Sequence, residues 1–193
     1  MQGGIVILAA GSSSRLGFPK QTFEVNDKSL LQNVIQEAQK TSVREIVVVL
    51  GANAETIQAK TNFGETNFVI NPNWQSGLSS SIICGLDYLK EKEPNLDYVV
   101  FLVCDQPYLK VSNIQAIVDE FYLNHQPIVA SDYEGIQGTP ALFESCFFEE
   151  IRKLKGDRGA MSIIKNYTEK VALVPFQDGI FDVDTSADIE KLK

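Results

Sequence analysis

Residues 10–21 read Ala10-Gly11-Ser12-Ser13-Ser14-Arg15-Leu16-Gly17-Phe18-Pro19-Lys20-Gln21. The two glycines allow sharp turns and close approach of backbone to a ligand. Serine hydroxyls and free backbone N–H groups can line a nest for an anion. Arg15 and Lys20 place two cations in the same short stretch, and phosphate is the anion that this equipment suits best. No Gly-Lys-Ser/Thr closes the stretch into a Walker A loop. Five residues separate Gly11 from Gly17, so it is not a dinucleotide fingerprint either. A solvated Gly/Ser loop with two surface cations has the same composition. Its position directly after an apolar run favours the phosphate reading.

Three further stretches carry groups of chemical interest. Asp105 follows the most apolar run of the chain, in Cys104-Asp105-Gln106-Pro107. A carboxylate there suits Mg²⁺, which takes one or two carboxylates and completes its shell with phosphate and water oxygens. The same Asp105 could equally cap a helix beginning near Ser112. Asn71-Pro72-Asn73-Trp74-Gln75-Ser76-Gly77-Leu78-Ser79-Ser80-Ser81 leads from a turn into a helix whose free N–H groups could face an anion or a base edge. Trp74 reads as packing. Near the C-terminus, Asp182-Val183-Asp184-Thr185 offers alternate carboxylates on one face of an extended segment. An N-cap for the last helix would also account for Asp184.

The elements that must hold these residues follow from hydrophobic periodicity. Gly4–Ala9, Ile46–Leu50 and Tyr98–Val103 are continuous apolar runs, the pattern of strands buried on both faces. Phe68–Ile70, Ile128–Ala130 and Val171–Val174 are shorter and are expected nearer an edge. Leu31, Val34, Ile35 and Ala38 recur at helical spacing, with Ser29 and Gln32 forming a capping box. Leu78, Ile82, Leu86 and Leu89 form a second stripe, and Ile114, Ile117, Val118 and Phe121 a third. Such alternation predicts an α/β fold, with a mostly parallel sheet covered by helices on both faces. Ligands of such sheets bind beyond the carboxyl ends of the strands.

Length and charge narrow the classes. The 193 residues suit one domain spanning 1–193. With 17 basic and 25 acidic residues the formal charge is −8, which argues against nucleic acid or an anionic membrane as a partner. No apolar run reaches the roughly 18 residues of a membrane span. The N-terminal Met1-Gln2-Gly3-Gly4-Ile5 lacks the basic start of a secretory signal. Cys84, Cys104 and Cys146 are odd in number and form no C-x-x-C, so free buried thiols in a cytoplasmic protein are expected. His125 is the only histidine and falls in a helix-to-strand turn, where a catalytic triad or a multi-histidine metal site has no support.

Taken in order, several stretches match one family pattern. They are Leu8-Ala9-Ala10-Gly11-x-Ser13-x-Arg15-x-Gly17-x-Pro19-Lys20-Gln21, Asn71-Pro72-x-Trp74-x-x-Gly77-Leu78-Ser79-x-Ser81-Ile82, Asp105-Gln106-Pro107, Gly138-x-Pro140-x-Leu142-Phe143, Gly156-Asp157-x-Gly159-Ala160 and Asp182-Val183-Asp184-Thr185-x-x-Asp188. The chain resembles the MobA-like NTP transferases, and within them the molybdenum cofactor cytidylyltransferase branch. The resemblance implies a Rossmann-like nucleotidyltransferase fold with a mostly parallel mixed sheet. It implies transfer of CMP from CTP to a phosphate of molybdopterin or molybdenum cofactor, with release of pyrophosphate. Catalytic roles fall to Arg15, Lys20 and Asp105, with Mg²⁺ held by Asp105 and Asp184. The nucleotide would contact Leu8, Ala9, Ala10, Gly11, Ser12, Ser13, Arg15, Lys20, Asn71, Gly77, Leu78, Ser79 and Ser81. The phosphorylated small-molecule acceptor would meet Gln106, Gly138, Thr139, Pro140, Gly156 and Asp157. Ala10 stands where guanylyl-transferring relatives carry glycine, which favours CTP. Thr139 stands where many relatives carry histidine, in a loop expected to face the acceptor, which keeps a sugar-phosphate acceptor open. The resemblance does not fix a molybdoenzyme or chaperone partner. A nucleotide-binding domain without turnover is a further alternative. An NAD-dependent oxidoreductase would need an acid after the second strand, and Leu50-Gly51-Ala52-Asn53 has none.

Overall fold

The structure is a computed structural model that describes residues 1–192. In chain order its elements are β1 (Gln2–Ala9), β2 (Glu24–Val25), β3 (Lys28–Ser29), α1 (Leu30–Gln39), β4 (Glu45–Leu50), α2 (Ala54–Lys60), β5 (Asn67–Ile70), α3 (Leu78–Lys92), β6 (Leu96–Val103), α4 (Val111–Asn124), β7 (Ile128–Tyr133), β8 (Ile136–Glu144), α5 (Phe148–Arg152), α6 (Met161–Asn166), β9 (Val171–Pro175) and α7 (Ser186–Glu190). The main sheet has seven strands in the order β5-β4-β1-β6-β8-β7-β9. β5, β4, β1 and β6 are mutually parallel, β8 is antiparallel to both β6 and β7, and β9 is parallel to β7.

Alternation along the central strands splits the core in two. Ile5, Ile7, Val48, Leu50, Val100 and Leu102 face α1 and α4, meeting Leu31, Val34, Ile35, Ile114, Ile117 and Phe121. Val6, Leu8, Val47, Val49, Val99 and Phe101 face α3, α5 and α6, meeting Ile82, Leu86, Leu89, Phe148, Ile151 and Ile164. The chain is thus an α/β protein with helices on both faces of a mostly parallel sheet. Gly85 brings α3 close: a Cβ there would lie 2.4 Å from Val6 Cγ1. After β1 the chain moves outward to β4 and β5, then returns to the other side of β1 with β6. The strand order therefore reverses between β1 and β6, and a crevice opens at their carboxyl ends.

Some expectations change. Gly138-Thr139-Pro140 is not a loop but part of β8, paired through Gly138 with Ser131 of β7. Its Gly-Thr-Pro run carries the composition of a turn, yet Gly138 is required because a Cβ would lie 2.4 Å from the Tyr133 ring. The short runs do lie nearer the edges, with β5 and β9 at the two ends of the sheet and Ile128–Ala130 in β7, one strand in from β9. Ser29 does cap α1, accepting from Gln32 N at 3.1 Å, but the Gln32 side chain accepts from Asn62 N instead of closing the box. Cys104 is buried, whereas Cys146 is exposed, because it sits in a short turn at the end of β8 and not in a packed helix.

Candidate active site

The segment from Gly11 to Pro19 leaves β1 without regular structure and ends in a 3-10 turn, Lys20–Thr22. Leu16 N donates to Ser13 O at 3.0 Å, and Ser13 Oγ accepts from Lys20 N at 3.1 Å. Gln21 fixes the base of the loop. Its side chain is buried, and Nε2 donates to Ala9 O at 2.9 Å and Gly11 O at 3.0 Å. Gly11 differs from Gly138. Its chain neighbours aside, no described residue lies within 4 Å of the place its Cβ would take, and Gly11 lines a cavity. The fold itself does not exclude a side chain at Gly11, and glycine there leaves the backbone open to close approach by a ligand. Gln21→Ala would remove the donor from two carbonyls, and a cost of about 1–3 kcal/mol is expected from unmade hydrogen bonds. Urea unfolding reads this directly, and an unchanged midpoint would contradict the stapling role.

At the mouth of the crevice four charged side chains converge. Lys20 Nζ donates to Asp105 Oδ2 and to Asp184 Oδ1, both at 2.7 Å. Arg15 Nη1 lies 3.5 Å from Asp184 Oδ2. Neither carboxylate is engaged in helix capping. Asn113 Oδ1 accepts from Lys110 N at the start of α4, and Thr185 and Asp188 cap α7 reciprocally. Val183 N donates to Asp105 O at 3.0 Å, which ties the C-terminal segment to the end of β6. Burial works against the charge of Lys20, but Asp105 and then Asp184 outweigh it and hold its ammonium well above the ordinary lysine value. Burial, reinforced by Asp105, pushes the Cys104 thiol up to about 12, so it is no nucleophile. Asp182 keeps an exposed rim position, yet desolvation by its crowded surroundings, then the charges of Asp105 and Asp184, push it up to about 7.

Two cavities meet here. The first, of about 450 Å³, is lined among others by Ala10, Gly11, Ser12, Lys20, Gly77 and Ser81. The second, of about 440 Å³, is lined mainly by apolar residues of β6, β8, α3 and α6, with Gln106, Gly138, Thr139 and Asp182. Leu8, Leu78, Val103 and Asp105 border both. Arg15 and Ser13 border an adjoining polar depression with Lys20, Asp157 and Asp184.

The structure distributes the expected site residues unevenly. Asn71 stands behind the wall: Nδ2 donates to Ser80 Oγ at 2.8 Å and Ser81 Oγ at 3.0 Å, and Oδ1 accepts from Asn73 N. Ser79 is buried and donates to Gly156 O at 2.8 Å, so Gly156 supports the start of α3 and does not line the second cavity. Asp157 lines the first cavity, not the second. Ala9 and Pro140 are likewise behind the walls, their carbonyls bound by Gln21 and Ser131. Gln106 is buried and spends both amide hydrogens on Tyr133 Oη and Gly179 O, each at 2.8 Å. His125 is exposed at the far end of α4 from Asp105. Gln21 and Asp182, which only end their motifs, and Trp74, which reads as packing, also line the cavities. Trp74 both packs on the core and faces the first cavity.

Among the described residues no group of three or more His, Cys, Asp or Glu is arranged to hold a metal by itself. Asp105 and Asp184, joined through one ammonium, fit a cation that draws its other ligands from phosphate and water.

Comparison with known proteins agrees with this geometry. Nicotine blue oxidoreductase of Paenarthrobacter nicotinovorans is 26% identical over 200 residues, covering 97% of this chain and 94% of that protein. The crystal structure of Rv0371c from Mycobacterium tuberculosis H37Rv superposes with a TM-score of 0.87 at 26% identity, over 99% of this chain and 96% of that one. A complex of Rv0371c with manganese superposes at 0.83, with 23% identity over 100% and 98%. A nucleotidyl transferase from Methanothermobacter thermautotroptrophicus shares the fold at a TM-score of 0.82, with 15% identity over 99% and 95%. Residues 5–171 match the MobA-like NTP transferase domain, and the chain belongs to that nucleotidyltransferase family.

Proposed function

We propose that the protein transfers a nucleoside monophosphate, CMP from CTP, to a phosphate of a small acceptor, molybdopterin or molybdenum cofactor, and releases pyrophosphate. The observation that carries this reading is the convergence of Lys20, Asp105 and Asp184 where the two cavities meet. The triphosphate would lie along residues 10–20 in the first cavity. The acceptor would lie in the second, with its phosphate at the shared border near Asp105. An acceptor phosphate oxygen attacks the α-phosphorus, the bond from that phosphorus to the bridging oxygen breaks, and pyrophosphate leaves with the electron pair. No covalent enzyme intermediate is needed. Lys20 and Arg15 orient the phosphates and neutralise charge that builds up on the leaving group. Asp105 and Asp184 would hold Mg²⁺ or a similar divalent cation, which supplies further neutralisation when bound. The manganese complex of Rv0371c supports the use of such a cation.

Ala10 borders the first cavity, and alanine in place of glycine there leaves less room and favours the smaller pyrimidine base. CTP should bind more tightly than GTP, by about 1–3 kcal/mol for a contact of this size. Titration calorimetry with both nucleotides is the check, and equal affinities or a preference for GTP would refute it. A redox reading has one specific support, the similarity to nicotine blue oxidoreductase of Paenarthrobacter nicotinovorans. Retention of NAD(H) on the purified chain would favour it over nucleotidyl transfer.

A further inference from the structure

Lys20 stands where a cation between Asp105 and Asp184 would stand. One ammonium contacts an oxygen of each carboxylate at 2.7 Å, and its side chain is only 13% exposed. Arg15 adds a second positive charge on the open side of Asp184. A divalent cation entering this gap would meet Lys20 at close range, and like charges with little intervening water repel strongly. The main chain of Lys20 is fixed by Ser13 Oγ and by its 3-10 turn, so release is a matter of the side chain alone. A triphosphate beside Gly11 and Ser12 would offer the ammonium a larger negative charge within the same cavity.

We propose that Lys20 is a latch, which keeps Asp105 and Asp184 closed to a divalent cation until a nucleoside triphosphate draws it away. Metal and nucleotide then strengthen each other's binding, and by linkage the factor is the same in both directions. The latch also holds the C-terminal segment against the phosphate loop while the site is empty of nucleotide, because Asp184 belongs to that segment and Lys20 to the loop. This inference rests on the reading of Asp105 and Asp184 as the metal carboxylates.

The test is Mn²⁺ binding to the full chain, read from the electron paramagnetic resonance signal of the free ion. Wild-type protein alone should bind Mn²⁺ weakly, and α,β-methylene-CTP should tighten it by about tenfold or more. Lys20→Met should bind Mn²⁺ about tenfold more tightly than wild type when no nucleotide is present, although it removes a group of the proposed site. Circular dichroism establishes that the variant is folded, and because a triphosphate supplies Mn²⁺ ligands of its own, the comparison of Lys20→Met with wild type in the absence of nucleotide is the decisive arm. Tight Mn²⁺ binding to wild type alone, unaffected by Lys20→Met or by the analogue, would overturn the latch while leaving the metal site in place. Absence of Mn²⁺ binding in every sample, with the analogue still bound, would overturn the latch together with the metal reading.

Discussion

Lys20→Ala is expected to lower turnover by about 10²–10³-fold, the loss typical of one electrostatic transition-state donor. The variant should remain folded, because the residue lies at the end of an irregular loop and contributes nothing to the apolar clusters. Two carboxylates would then face one another without their shared cation. Its melting temperature should therefore fall somewhat. The sign of the pH effect comes from the raised folded-state pKa. Stabilisation by Lys20 is complete below the ordinary lysine value and disappears only as pH rises through the elevated one, so it is constant at neutral pH. Steady-state kinetics on the folded variant check the main effect, and full activity would remove Lys20 from the chemistry.

Asp105→Asn should produce a loss of similar size, about 10²–10³-fold, and should also abolish the response to divalent cation. Asparagine keeps the shape of the side chain at the end of β6, and Lys20 retains Asp184 as a partner. Packing is therefore little disturbed. The change removes one negative charge from the place where both cavities meet. Turnover measured across a series of Mg²⁺ concentrations distinguishes this from a folding defect. A variant that is as active as wild type and equally dependent on Mg²⁺ would show that Asp105 has no part in holding the cation.

The central strands were legible from their composition because burial on both faces leaves no room for polar alternation. β1, β4 and β6 therefore stand out, and the glycine- and serine-rich loop and Asp105 follow the first and last of these three. β8 was not legible. Its Gln137-Gly138-Thr139-Pro140 run contains glycine and proline, which interrupt a strand pattern, and the Tyr133 ring packed over Gly138 explains the glycine. Local pattern leaves Asp182 and Asp184 equivalent; the family resemblance marks Asp184, and it is Asp184 that Lys20 reaches. Asn71 and Ser79 illustrate the opposite case. Their polar side chains beside a helix start suggest ligand contacts, yet their hydrogen bonds are used within the protein to shape the wall. Gln21 could have been found from its position directly after Lys20, but its partners, Ala9 O and Gly11 O, lie on the other side of the loop.

Nucleotidyl transfer itself is read by incubating the protein with CTP labelled at the α-phosphorus, Mg²⁺ and a phosphorylated pterin acceptor, and monitoring both products. Pyrophosphate should appear in equal amount to a labelled acceptor joined through a new phosphate–phosphate bond, and both should require Mg²⁺. Binding of CTP with neither product formed would reduce the protein to a nucleotide-binding domain. Reduction of a coloured substrate at the expense of NAD(P)H, with no pyrophosphate from any of the four nucleoside triphosphates, would contradict nucleotidyl transfer altogether.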